Sequence, residues 1–251
     1  MSSTLSATIL LASLVAMVLL GRNMRRHLPD AHLNADSKDA VKLATGLVAT
    51  MTALLLGLLV SSAKGTYDTQ RTEVIQMAAK IAFLDRVLTA YGPEAAETRA
   101  EFRDGVADAL HRMWPNEAGA RAQLAPNTTA GAHIYAAIQA LTPRDDAQRE
   151  LKAQAVTAAT DLGQLRMLIL AQAVPSIPKP LLIVVGCWLV IIFLCFSLLA
   201  PPNATTTLAL TAAAVSVAGA LFLIMELDEP FGGAIRISSE PMQNALNHLT
   251  N

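Results

Sequence analysis

The residues of this 251-residue chain best placed to do chemistry are three acids, Glu226, Asp228 and Glu229, followed directly by Pro230-Phe231-Gly232-Gly233. Carboxylates at the end of an apolar stretch attract cations and offer oxygen ligands to a hard metal such as calcium. Their spacing is not that of an EF-hand loop, so calcium is only a weak expectation. The plainer role is to end a membrane span in headgroup water and to pair with Arg236 or with arginines of another helix. Acids at a helix C-terminus oppose the helix dipole, which makes ion binding or gating by Glu226, Asp228, Glu229 and the Pro230-Phe231-Gly232 turn the sharper expectation. A second set, Thr45, Thr50, Thr52 and Gly57, sits within a stretch free of charge. Small residues let helices approach closely in lipid, and the same hydroxyls and backbone groups can line a narrow pore by replacing an ion's hydration. Thr211, Ser216 and Gly219 play a parallel part further along the chain.

Other chemistries find no support. His27, His32, His111, His133 and His248 are scattered and match no metal motif. No nucleophile elbow, HExxH, CxxC or glycine-rich phosphate loop occurs, and Ser238-Ser239 has no general base nearby in sequence, so the expectation is not an enzyme. Cys187 and Cys195, eight residues apart on one helix, stand about 12 Å apart along its axis and cannot bridge each other. Both read as small buried hydrophobes. A net charge of −1 leaves no electrostatic footprint for nucleic acid.

The elements that position these residues follow from composition. Hydrophobic residues make up 53% of the chain and charged ones 16%, against about 25% charged in an ordinary soluble domain. Mean hydropathy is +0.42. The deficit is concentrated in four stretches without Asp, Glu, Lys, Arg or His: 5–20, 43–60, 181–199 and 208–225. Each is long enough, with its flanks, to cross a hydrocarbon layer of about 30 Å. The first lacks the leading positive charges of a signal peptide and is followed by Arg22, Arg25 and Arg26, so it reads as an uncleaved anchor. The predicted fold is all-α: an integral membrane protein with four transmembrane helices in two hairpins and a membrane-proximal helical bundle between the second and third. The corresponding segments are 1–63, 64–180, 181–225 and a tail, 226–251, carrying ELDEPFGG.

Within 64–180 the residues Val74, Met77, Ile81, Leu84 and Leu88 repeat at 3 and 4, a seam that continues span two as one helix from about Lys42 to Ala90. Gly65 is its weak point, and Tyr91-Gly92-Pro93 ends it. A helix from Pro93 to Met113 carries Phe102, Val106, Leu110 and Met113 on one face, and Trp114-Pro115 breaks it. Asn116 to Ala130 reads as loop, followed by a short helix around Ile134 to Leu141. The last helix, from near Asp145, repeats the seam at Leu151, Ala155, Ala158, Leu162, Leu165 and Ile169. Pro175, Pro178 and Pro180 separate it from span three. The seams bury against each other or hold subunits together; spacing alone leaves both open.

Several segments resemble a widespread bacterial family of four-span membrane proteins described as bestrophin-like. They are the run from Leu28 to Gly65, LDRVLTAYGPEA at 84–95, Met113-Trp114-Pro115, WLVIIFLCFSLLAPPNAT at 188–205 and, most specifically, LFLIMELDEPFGGAIRISSEPM at 221–242. The resemblance implies a homo-oligomer in a bacterial inner membrane whose partners are lipid and small inorganic ions. Bestrophins are oligomeric, calcium-responsive anion channels, sodium-conducting in some bacterial members, with a PFG flanked by acids. Span two here departs from the aromatic-lined bestrophin neck, so the resemblance does not carry anion selectivity over by that device. It also implies a cytoplasmic helical region. The basic residues Arg22, Arg25, Arg26, Lys38 and Lys42 put the first connector in the cytoplasm instead, and the two expectations oppose each other. The competing functional class is a non-conducting membrane scaffold or sensor whose helical region binds a partner protein or envelope component.

Overall fold

A computed structural model describes residues 3–27, 29, 35–115, 128–172, 177–201 and 203–250. His32, Pro175 and all but the end of the Asn116–Ala130 segment lie outside them. Among the described residues eight α-helices occur in the order α1 (Ser3–Arg25), α2 (Ala35–Tyr91), α3 (Ala96–Met113), α4 (Thr128–Ala140), α5 (Asp146–Gln172), α6 (Lys179–Leu199), α7 (Ala204–Leu227) and α8 (Glu240–Thr250), with a 3-10 turn at Pro93–Ala95. Strands are absent among the described residues. α1, α2, α6 and α7 each contain a window long and apolar enough to cross a membrane. α2 runs on through Gly65 and stops where Gly92-Pro93 interrupts it. The elements differ from the sequence reading in places: α2 begins at Ala35 rather than near Lys42. α4 starts at Thr128, so the last residues assigned to loop are its first turn. The tail also contains α8, whose buried Met242, Ala245 and Leu249 repeat at 3 and 4.

The chain divides into two compact units. The first comprises residues 1–66 and 176–228, the second residues 67–175 and 229–251. In the first, α1 packs along α6 and, less extensively, along α7. Leu14, Val18, Leu59, Val185, Leu189, Phe193, Leu221 and Ile224 form its core. Lipid tails are as apolar as leucine, so close fit rather than the hydrophobic effect holds such helices together. The fit is tightest at Gly21, where a Cβ would lie 2.8 Å from Ser197 Cβ and 3.0 Å from the Leu194 carbonyl. That approach lets the Ser197 hydroxyl donate to the Val18 carbonyl at 2.5 Å.

Charged and polar groups finish the helix ends of this unit. Arg25 donates to the carbonyls of Leu198 at 3.4 Å, Leu199 at 2.8 Å and Ala200. These belong to the last turn of α6, whose carbonyls have no partner within the helix. Arg22 reaches Thr207 at 3.5 Å, and the Asn203 side chain accepts the Thr206 N–H at 2.8 Å as N-cap of α7. The C-terminal end of α1 therefore lies beside the end of α6 and the start of α7. Cys195 is half-buried, but Cys187 is exposed on α6, a correction to its reading as a buried hydrophobe. It follows Gly186 on a face of α6 that its own chain leaves uncovered.

In the second unit both seams are buried in one core. Val74, Met77, Ile81, Leu84 and Leu88 of α2 join Ala155, Ala158, Leu165 and Ile169 of α5, with Phe102 and Val106 of α3. The seams thus bury against each other within one chain. Each large apolar side chain removed from water here contributes about 1.5–3 kcal/mol. Ion pairs cross the same helices. Lys80 meets Asp161 at 2.7 Å, and Arg99 holds both Asp85 oxygens, at 2.5 and 3.1 Å, while reaching the Leu249 carbonyl at 3.4 Å. Arg144 pairs with Glu94 at 2.5 Å.

Candidate functional site

The acidic motif opens at the end of α7. Glu226 is 2% exposed. Asp228 closes the helix, its N–H donating to the Ile224 carbonyl at 3.2 Å. From Glu229 onward the chain belongs to the second unit. Glu229 is exposed, whereas Pro230 and Phe231 are buried. The Gly232 N–H donates to the Glu229 carbonyl at 3.0 Å, and the Ile237 N–H closes the loop on the Pro230 carbonyl at 2.9 Å. Gly233 has φ +68°, a left-handed conformation that glycine takes without the strain a Cβ brings. The sequence motif is therefore a folded loop, stapled by backbone bonds from Pro230 to Ile237.

A second sequence segment holds that loop. Trp114 of Met113-Trp114-Pro115 stacks edge-on against Phe231 with ring centroids 5.9 Å apart at 68°, and its indole N–H donates to the Ile237 carbonyl at 2.8 Å. The Tyr67 hydroxyl lies 3.5 Å from the Arg236 carbonyl, and the Arg236 side chain is exposed. Among the described residues, no group of three or more His, Cys, Asp or Glu is arranged to hold a metal ion.

The sequence matches the Bestrophin-like domain over residues 9–242. The chain belongs to the bestrophin-like family. Its fold is similar to the crystal structure of a mutated bacterial bestrophin homologue from Klebsiella pneumoniae, with a TM-score of 0.70, 13% identity and 98% of each chain covered. No curated protein sequence matches it. Family membership and four apolar helices make it a membrane protein of bestrophin-like fold. The motifs at Trp114 and Phe231, separate in sequence, are in this bestrophin-like chain one packed unit.

Span two divides the four candidate lining residues. Thr45 and Thr52 are 5% and 3% exposed, on the face that carries Leu59 into the core of the first unit. Thr50 and Gly57 are exposed. The Thr50 and Thr52 hydroxyls donate to the carbonyls of Gly46 and Val48, at 2.9 and 2.8 Å, so neither leaves a hydroxyl proton unspent. Thr45 and Thr52 thus face the core of the first unit, and Thr50 and Gly57 share an outer stripe with Gly46 and Ala53. At about 100° per residue, that stripe lies beside a second one of Leu43, Leu47, Leu54 and Leu58, each at least 65% exposed. A Cβ built on Gly46, Gly57 or Gly219 meets nothing within 4 Å, so these glycines serve no close helix contact inside the chain.

One polar cluster went unread in the sequence. Gln70 and Glu73, 1% and 7% exposed, lie on α2 beyond the apolar stretch 43–60. The Gln70 amide donates to the Gln172 carbonyl at 2.8 Å, and the Gln172 amide to Glu73 Oε1 at 2.8 Å. Gln70 Oε1 and Glu73 Oε2 have no hydrogen-bond partner among the described residues. Burial pushes the Glu73 carboxyl above its ordinary range, against the lowering effect of the Gln172 amide. Two polar residues three apart amid Val74 and Met77 break the seam pattern, and that break was the available signal.

Proposed function

We propose that the protein is an oligomeric ion channel in a bacterial inner membrane, with copies of α2 nearest the axis. One observation carries the reading: most of α2 within the membrane stretch is left uncovered by its own chain. A span with one buried face, a small-residue face and a leucine face suits a place between neighbours. Small faces allow close approach of helices or, turned to the axis, expose hydroxyl oxygens and backbone to a passing ion. Here Gly46, Thr50, Ala53 and Gly57 line the path, with α7 behind them and Glu226 and Asp228 at the end of α7 acting on the ions. The family supports this reading, as does the fold likeness to a bacterial bestrophin homologue.

The test uses purified protein in planar bilayers, in a background with Cys187 and Cys195 replaced by serine. Current is expected, reduced by a water-soluble thiol reagent when cysteine stands at Thr50 or Gly57 and unaffected when it stands at Thr45 or Thr52. Neutralising Glu226 together with Asp228 changes the current-voltage relation. A well-formed ring that stays electrically silent overturns the proposal in favour of a scaffold.

A further inference from the structure

The second unit carries a half-open cavity of about 480 Å³ between α2, α3, α4, α5 and α8, within the ~300–1,000 Å³ range of small-molecule pockets. Its wall is largely apolar; beside the hydroxyls of Tyr135 and Thr160 it carries two arginines, Arg112 and Arg166. Arg112 is matched by Asp108 at 2.7 Å. Arg166 is half-buried and makes no ion pair among the described residues. Burial and then the neighbouring Arg112 pull its guanidinium below the ordinary range, with Asp108 opposing. Two cations thus share one carboxylate at an apolar cavity, and a half-buried charge without a partner is costly.

The wall carries a second, independent mark. Gly105, Gly131 and Gly163, one each on α3, α4 and α5, all border the cavity. Glycine inside a helix costs about 0.5–1 kcal/mol relative to alanine. Nothing in the fold requires it at these positions: no left-handed backbone occurs there, and a Cβ at each would meet nothing within 4 Å. What three helices gain in common by lacking side chains is open space.

We propose that this cavity binds a single-chain anionic amphiphile, its carboxylate or phosphate head on Arg166 and Arg112 and its alkyl chain along the glycine-bordered wall. The missing counter-charge sets the head group, the largely apolar lining sets the tail, and about 480 Å³ is room for one alkyl chain. The site is separate from span two and is read without ion current, so it stands or falls independently of conduction.

The experiment places the full-length protein in nanodiscs of zwitterionic phosphatidylcholine and measures binding of radiolabelled palmitate and of lysophosphatidate over protein-free discs. A saturable component near one per chain is expected for at least one of them, and the tighter binder identifies the head group. Arg166→Gln weakens that component about tenfold or more, the loss of one charge-assisted hydrogen bond, and methyl palmitate shows no saturable component. Gly163→Leu, which fills the space, abolishes binding while raising the unfolding temperature. Absence of a saturable excess, or binding indifferent to Gly163→Leu, overturns the proposal. So does a Gly163→Leu variant that unfolds earlier or changes oligomer size, because the space would then belong to the protein itself or to a second copy.

Discussion

If the ELDEPFGG loop is held by its contact with Trp114, the two rings must be energetically coupled, and a double-mutant cycle measures the coupling. Phe231 is 5% exposed in the core of the second unit, so Phe231→Ala removes a buried aromatic at a cost of about 3–5 kcal/mol. Trp114→Ala costs a similar amount and also leaves the Ile237 carbonyl without its indole donor. The pair itself, edge-on at 5.9 Å and 68°, contributes about 0.5–1.5 kcal/mol beyond area burial. The double variant should therefore lose less than the sum of the two singles by about that amount. Equilibrium unfolding in mixed micelles, followed by far-ultraviolet circular dichroism, supplies the four free energies. Should alanine variants fail to fold, Phe231→Leu and Trp114→Leu complete the same cycle with smaller losses. Additivity within about 0.3 kcal/mol would refute the reasoning, because the loop would then be held by its backbone staples alone.

Three further outcomes follow from the same geometry. Arg99→Ala strands the mostly buried Asp85 and frees the Leu249 carbonyl, and should cost about 2 kcal/mol, between the ~0–1 of exposed pairs and the ~3–5 of buried ones; limited proteolysis should show α8 loosening first. The raised Glu73 carboxyl contributes stability that is present below the ordinary 4.5 and lost as pH rises through the folded value. Glu73→Gln should therefore be more stable than wild type at neutral pH, with the difference shrinking as pH falls toward 4.5, read by thermal unfolding across a pH series. Gly21→Val drives a side chain into Ser197 and the Leu194 carbonyl and should cost about 1–3 kcal/mol of overpacking, seen as weakened cross-linking between cysteines placed on α1 and α6.

The spans and seams were legible because each is a one-dimensional pattern: absence of charge over a bilayer's width, or apolar residues at 3 and 4. Val74 to Leu88 needed nothing beyond spacing. What escaped was information about facing. Thr45, Thr50 and Thr52 carry the same hydroxyl, and only the spacing of seven from Thr45 through Thr52 to Leu59 separates the buried pair from the exposed one. Helix α8 escaped because Met242, Ala245 and Leu249 are few and set among polar residues. The joining of Trp114 to Phe231 has no local signature at all: two motifs stood out singly, and only the fold makes them neighbours. The cavity escaped for a similar reason, since three glycines on three helices are unremarkable until packing brings them to one wall.

The clasp of Arg25 on the end of α6 has a consequence in time. The carbonyls it binds lie 173 to 175 residues further along the chain, so at roughly 5–20 residues per second of synthesis Arg25 is made some ten to thirty seconds before they exist. During that interval its charge is unclaimed and free to bias how the first span enters the bilayer. Afterwards the same guanidinium is hydrogen-bonded to the carbonyls at the end of α6. One side chain thus acts first as a steering charge for the ribosome's early product and later as a latch on the finished one. A variant that keeps the charge but not the guanidinium fork, Arg25→Lys, would separate the two acts, preserving insertion while loosening the latch.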